Sequence, residues 1–221
     1  MAVSDTLDLY WFSGTGNTLL VARAMAEEFA SHGWDARLWP MTEVDPTRIM
    51  PRGWVGLAFP VAVQTTYPLV WEFCDRLAPA KGTPIFMVDT LAGYSGAIVG
   101  PLRELVRSRG YRPVGAREIR MPCNLYPIAT SEERNRRLRE RALTQARRYA
   151  RDLMTGEAHW GHIPWLPDLF RALTGAGRAW RWVAWTDTLL AVDAEACTRC
   201  GLCARLCPVG NITLDPLPRY L

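Results

Sequence analysis

The sequence predicts an α/β fold, a doubly wound parallel sheet of five strands followed by a small cysteine-rich appendage. Three observations carry that prediction. Apolar runs of strand length alternate with stretches of helical period from Leu7 to Leu153. A turn made almost wholly of glycines and hydroxyls, Phe12-Ser13-Gly14-Thr15-Gly16-Asn17-Thr18, joins the first strand to the first helix. Four of the six cysteines crowd into residues 197–207.

Composition narrows the class. With 221 residues and 49% hydrophobic content, the chain can bury one core of ordinary domain size with length to spare. The net charge of +4 is mild, as is the isoelectric point near 8.8. Lys81 is the only lysine, and no aromatic-interleaved basic cluster marks a nucleic-acid module. Asp5 and Asp8 stand where a signal peptide has its basic region. The longest membrane candidate, Trp180 to Val192, is broken by Arg181 and Asp187. Crowded cysteines point to a metal site in a reducing cytoplasm, not to a secreted disulfide framework.

The elements follow in order. Leu7 to Phe12 is a buried-strand run, and Thr18 to His32 a helix presenting Leu20, Ala24, Met25 and Phe29 to a sheet, with Gly33 as its stop. Trp34 to Trp39 is the second strand. Trp54 to Phe59 is apolar enough for a central parallel strand, ended by Pro60. The next helix starts at Pro68 and shows Leu69, Phe73 and Leu77 at core spacing, with Cys74 as a small core residue beside them. Pro84 to Val88 is the fourth strand and Asp89 to Gly96 the loop after it. Leu102, Leu105 and Val106 mark a helix closed by Gly110, and Val114 to Met121 a fifth strand. Thr130-Ser131-Glu132-Glu133 offers a capping box for an arginine-rich helix to about Leu153. Its apolar stripe is Leu138, Ala142, Ala146, Tyr149, Ala150 and Leu153, and the arginines between form a solvated face.

The turn after the first strand reads as a phosphate cradle. Gly14 and Gly16 let the backbone approach closely, while Ser13, Thr15 and Thr18 add hydroxyl donors beside a helix N-terminus. No Gly-Lys-Ser/Thr is present for a nucleoside triphosphate, and the third glycine of a dinucleotide fingerprint is replaced by Leu19. A terminal monophosphate held by neutral donors fits best; an ordinary strand-to-helix turn is the competing reading. The pattern at Ser13, Thr15, Gly16 and Thr18 resembles the FMN-phosphate loop of the flavodoxin family. That resemblance implies FMN held by Ser13, Gly14, Thr15, Gly16, Asn17 and Thr18. It also implies a ring seated by the loops Pro60–Tyr67 and Thr90–Gly96, at Pro60, Tyr67, Thr90, Gly93 and Tyr94. Either tyrosine can stack on a flat ring or be a plain surface residue. Met121-Pro122-Cys123-Asn124 closes the fifth strand near the same edge, where Cys123 reads as a packed thiol.

Residues 156–190 change character, carrying His159, His162 and tryptophans at 160, 165, 180, 182 and 185. They read as a connector with a short helix around Asp168 to Leu173, its tryptophans gluing the appendage to the first domain. Beyond it, Cys197-x2-Cys200-x2-Cys203-x3-Cys207-Pro208 has the spacing of the bacterial ferredoxin run for a [4Fe-4S] cluster. Zinc sites need two Cys-x2-Cys pairs set further apart. In two-cluster ferredoxins the fourth cysteine of such a run serves the other cluster. Three arrangements for Cys207 therefore stay open: a longer chain with a second run, a second chain supplying it, or Cys207 bending back to complete one site.

As a whole the chain resembles the iron-sulfur flavodoxin fusions of bacteria and archaea. The resemblance implies a flavodoxin-like FMN-binding domain at 1–155, the Trp-rich connector at 156–190, and a partial 4Fe-4S ferredoxin module at 191–221. It implies FMN and a 4Fe-4S cluster as cofactors, with Cys197, Cys200, Cys203 and Cys207 as metal ligands. The expected function is an electron-transfer oxidoreductase passing electrons between the two, or a non-enzymatic carrier docking to a larger redox enzyme. The expected partner is a redox protein or a small-molecule electron acceptor. A homodimer is compatible with the sequence, and neither nucleic acid nor a transmembrane segment is expected.

Overall fold

A computed structural model describes residues 5–63, 65–93, 95, 98–124, 131–161 and 192–220. Five segments form its parallel strands: β1 (Thr6–Trp11), β2 (Asp35–Pro40), β3 (Trp54–Ala62), β5 (Pro84–Leu91) and β6 (Arg112–Arg120). A two-residue strand, β4 (Thr65–Thr66), folds back antiparallel on the end of β3. The sheet order is β2-β1-β3-β5-β6, so the order reverses between β1 and β3. Helices α1 (Asn17–Ser31), α2 (Pro68–Asp75) and α3 (Val99–Ser108) make the crossovers β1 to β2, β3 to β5 and β5 to β6, and α4 (Glu132–Met154) follows the last strand.

Alternation along the central strands sends side chains into two cores. Tyr10, Leu57, Phe59, Ile85 and Met87 pack with Val70, Phe73, Leu102 and Val106 of α2 and α3. Leu7, Leu9, Phe86, Val88 and Ile119 pack with Val21, Met25, Phe29, Ala146 and Tyr149 of α1 and α4. Strands buried on both faces are near-continuous apolar runs, which is what the sequence shows in β3 and β5. Cys74 is wholly buried in the first core, and burial pushes its thiol up to about 12.

Several expectations are corrected. Leu20 is 39% exposed; the buried stripe of α1 runs through Thr18, Val21, Ala22, Met25 and Phe29 instead. Pro60 does not end β3. Ala58 O accepts from Phe12 N on the β1 side, so Pro60, two residues on, turns its missing N–H to that same side, beyond the end of β1. Asp89, Thr90 and Leu91 belong to β5, not to the loop after it. No capping box forms at α4: its N-cap is Ser131, without a side-chain cap, and Glu133 pairs with Arg136 and Arg137. The α4 arginines do form a solvated face of such pairs, each of small worth.

Two units are distinguished, Met1–Gly177 and Arg178–Leu221. In the first, Trp160 is buried and its indole N–H donates to Val99 O at 2.9 Å, while His159 O accepts from Ala116 N. The predicted helix Asp168–Leu173, His162 and the tryptophans at 165, 180, 182 and 185 lie outside the described residues. In the second unit, Asp193 Oδ1 accepts from the amides of Glu195 and Ala196 and so turns the chain into the cysteines. A short helix α5 (Leu202–Leu206) and a hairpin of β7 (Ile212–Leu214) and β8 (Pro218–Tyr220) follow. No helix among the described residues is long and apolar enough to cross a membrane.

Candidate functional site: a phosphate cradle and a cysteine module

The turn from β1 to α1 lies at the carboxyl ends of the strands, beside the point where strand order reverses. Ligands of open α/β sheets bind there. Gly16 occupies the left-handed region at φ 91 and is the N-cap of α1, with no side-chain cap on the helix. The first-turn amides are therefore left for a ligand, and the helix dipole favours an anion in front of them. Ser13 Oγ accepts from Gly16 N at 3.0 Å and holds the turn shut. Thr18 Oγ1 and Thr90 Oγ1 share a buried hydrogen bond of 2.8 Å, tying the cradle to the end of β5. Asn17 Nδ2 donates to Pro122 O at 3.0 Å, and Asn124 Nδ2 donates to Thr15 Oγ1, so the stretch after β6 is fastened to the same turn.

A cleft of about 390 Å³ opens from this cradle. Of the residues that the sequence singles out, it brings together Ser13, Gly14, Thr15, Asn17, Thr18, Pro60, Tyr67 and Thr90. Gly16 and Gly93 are not in its wall, and Tyr94 lies outside the described residues. Tyr67 is half-buried, its ring set edge-on to Phe12 with centroids 5.2 Å apart. The Pro60–Tyr67 segment, read as a loop, is the β3–β4 hairpin. Thr66 Oγ1 donates to Pro60 O, and Trp71 Nε1 donates to Thr65 Oγ1. At its turn Val63, a β-branched residue, is held at φ 52, a strained conformation in the wall of the cleft.

Val61 to Val63, Leu91, Ala92 and Met121 to Asn124 also line the cleft; they lie in the segments that the sequence places at this edge, but sequence reasoning did not single them out as site residues. A short Thr-Thr strand carries no periodic signal, and the Asn124 contact depends on chain ends meeting across the sheet. Among the described wall residues none is charged. An anion here meets amides, hydroxyls and a helix dipole, and the apolar wall beyond suits a flat ring. A monophosphate ester of a planar group fits the cleft on both counts.

In the cysteine module, Gly201 at φ 69 opens α5, and Arg199 also has positive φ, 56. The chain thus turns sharply on both sides of Cys200. Leu202 N–H and the Thr198 hydroxyl hold the exposed Cys200 thiol below its ordinary range. Cys203 is exposed; Cys197 and Cys207 are half-buried, and Cys207 Sγ donates to Asn211 Oδ1 at 2.9 Å. Among the described residues no three His, Cys, Asp or Glu side chains converge as a metal site. The tight turns and amide donors suit thiolate ligands, and gathering such ligands is work that metal binding itself does.

Residues 190–213 match the family model described as "4Fe-4S binding domain". A flavodoxin from the domain Archaea superposes with a TM-score of 0.53 at 15% identity, over 69% of this chain and 99% of its own. The chain joins a flavodoxin-like domain to a 4Fe-4S binding domain. Oxidised flavodoxin 1 from Bacillus cereus agrees, with a TM-score of 0.51 at 13% identity, over 68% of this chain and 97% of its own. At such identities the likeness establishes the fold. No curated protein matches the chain by sequence. The flavodoxin-like domain accounts for the β1/β3 cradle, and the 4Fe-4S binding domain spans all four clustered cysteines.

Proposed function

We propose that this chain is an electron-transfer flavoprotein in which FMN in the flavodoxin-like domain and a [4Fe-4S] cluster on Cys197, Cys200, Cys203 and Cys207 exchange electrons. One observation carries the reading: an uncharged phosphate cradle opening into an apolar, tyrosine-edged cleft shares a polypeptide with a cysteine run of cluster spacing. When bound, FMN handles electrons in pairs or singly and a cubane moves one at a time, so together they suit a converter between the two kinds of donor.

The chain's own part is positional. The amides of Asn17 and Thr18 and the hydroxyls of Ser13, Thr15 and Thr18 hold the phosphate. Tyr67, Pro60 and Thr90 border the ring. The Ser13–Gly16 and Thr18–Thr90 bonds keep those donors in place before anything binds. No charged acid or base lines the described cleft, which also favours a relay that docks to a redox protein over a substrate-specific enzyme. The reading places the molecule in the cytoplasm with a redox protein or small-molecule acceptor as partner, as a monomer or homodimer.

Iron, acid-labile sulfide and FMN are counted on anaerobically purified protein. About four irons with one FMN per chain is expected. Zinc in place of iron, or protein that takes up no FMN, would overturn the reading.

A further inference from the structure

The charges of the arginine-rich helix α4 are unevenly matched. Glu132 pairs with Arg139, Glu133 with Arg136 and Arg137, and Glu140 with Arg136. Glu27 and Glu28 of α1 pair with Arg147 and Arg151, and Asp152 with Arg117 of β6. Every carboxylate on α4 is thus engaged elsewhere, and none serves Arg134, Arg141 or Arg148. Those three are exposed and, among the described residues, have no hydrogen-bond or ion-pair partner. They also stand in line. Leu138 and Gln145 fall between them, so successive members of the row Arg134, Leu138, Arg141, Gln145 and Arg148 are three or four residues apart and share one helix face. At about 1.5 Å of rise per residue, the arginines start about 10 Å apart along the axis. No acid interrupts the row, and Asp152, next in line, is closed by Arg117.

We propose that this row docks an acidic helix of a protein partner. A carboxylate repeated every seventh residue on such a helix has the same spacing of about 10 Å, and each guanidinium forks onto one carboxylate. Half-buried Leu138 adds an apolar point of contact between the first two arginines. Nucleic acid fits less well, because no aromatic side chain stands in the row for a base to stack on. One half-buried leucine is too little apolar surface for a lipid boundary. Exposed ion pairs are each worth little, so the contact is weak, sensitive to salt and suited to a transient encounter. The surface is independent of the flavin cleft, the cysteine module and the redox reading.

The test follows the fluorescence anisotropy of a labelled helical peptide as the full chain is added at low salt. The probe is an alanine and glutamine peptide with glutamate at every seventh position. A scrambled peptide of the same composition, an oligo-dT strand and anionic vesicles are run beside it. The patterned peptide is expected to bind, and to bind more tightly than the other three. Replacing Arg134, Arg141 and Arg148 together by Gln should weaken it about tenfold, the sum of three small ion pairs. The same change of charge on the other face of the sheet, at Arg48, Arg76 and Arg107, should weaken it less than about threefold. Circular dichroism should be the same for all three proteins, since every replaced side chain is exposed. Replacing the row by Lys should keep part of the binding, because charge remains where the fork is lost. No binding by wild type, equal losses in the two Gln variants, or equal binding of the scrambled peptide would overturn the proposal. Tighter binding of oligo-dT or vesicles would overturn it in favour of a phosphate surface. Removing FMN should not alter the result, so this claim and the redox reading fail separately.

Discussion

Gly16 and Gly14 lie two residues apart in the cradle and answer to different constraints. A Cβ on Gly16 would touch nothing within 4 Å, so the cost of Gly16→Ala is the φ of 91 alone. That is about 1 kcal/mol for an L-residue in the left-handed region. Urea unfolding of the flavin-free variant should show that loss, together with weaker FMN binding because the cradle amides shift. At Gly14 the nearest atom to a new Cβ is Tyr67 Oη at 3.9 Å, an ordinary contact, so Gly14→Ala should unfold like wild type. Asp89 makes a pH prediction. It is wholly buried with neither carboxylate oxygen partnered, and burial, with Glu118 adding, pushes its pKa well above the carboxylate range. Below about pH 4 the folded and unfolded chains both carry its proton. As pH rises the unfolded chain releases it while the folded one keeps it, so stability falls until the folded pKa is passed. Asp89→Asn should remove that slope and gain on wild type between pH 4 and 7 in melting experiments. Parallel pH profiles would show that the carboxyl is not held neutral. Residues at this scale were legible where chemistry is local: Ser13 to Thr18 and the four cysteines name themselves by type and spacing. Asp89 was not, because an acid after an apolar run reads as a loop until the neighbouring strands bury it.

At the scale of elements, β3 and α1 show what a single chain can and cannot disclose. The apolar runs predict the central strands and their parallel class, but Pro60 predicts a stop, because pairing on each side of β3 is invisible in sequence. Leu20 was placed inward on period alone, whereas the angle of α1 is set by its packing on β1 and α4. Gly56 in β3 is the tightest point of that packing. A Cβ there would meet Leu9 Cδ1 and come within 2.6 Å of Phe86 Cζ, in the middle of the core under α1. Gly56→Ala should therefore destabilise the flavodoxin-like domain by about 1–3 kcal/mol, the range for overpacked cores, as measured by denaturant midpoint. A neutral result would mean that Leu9 and Phe86 repack freely and that the β1–β3–β5 core is looser than described.

The molecule as a whole is a pairing of two sites that neither half of the sequence would suggest from the other. The strand order that puts the cradle at the β1/β3 reversal and the cysteine spacing in the second unit are independent observations, the first of a flavodoxin-like fold and the second of a 4Fe-4S binding domain. The most direct measurement is photoreduction of the flavin in anaerobic holoprotein, with the flavin and iron-sulfur absorbances followed together across a range of protein concentrations. The account predicts that bleaching of the cluster follows flavin reduction at a rate independent of concentration, because both belong to one polypeptide. A cluster that stays oxidised, or bleaches at a rate proportional to protein concentration, would contradict it.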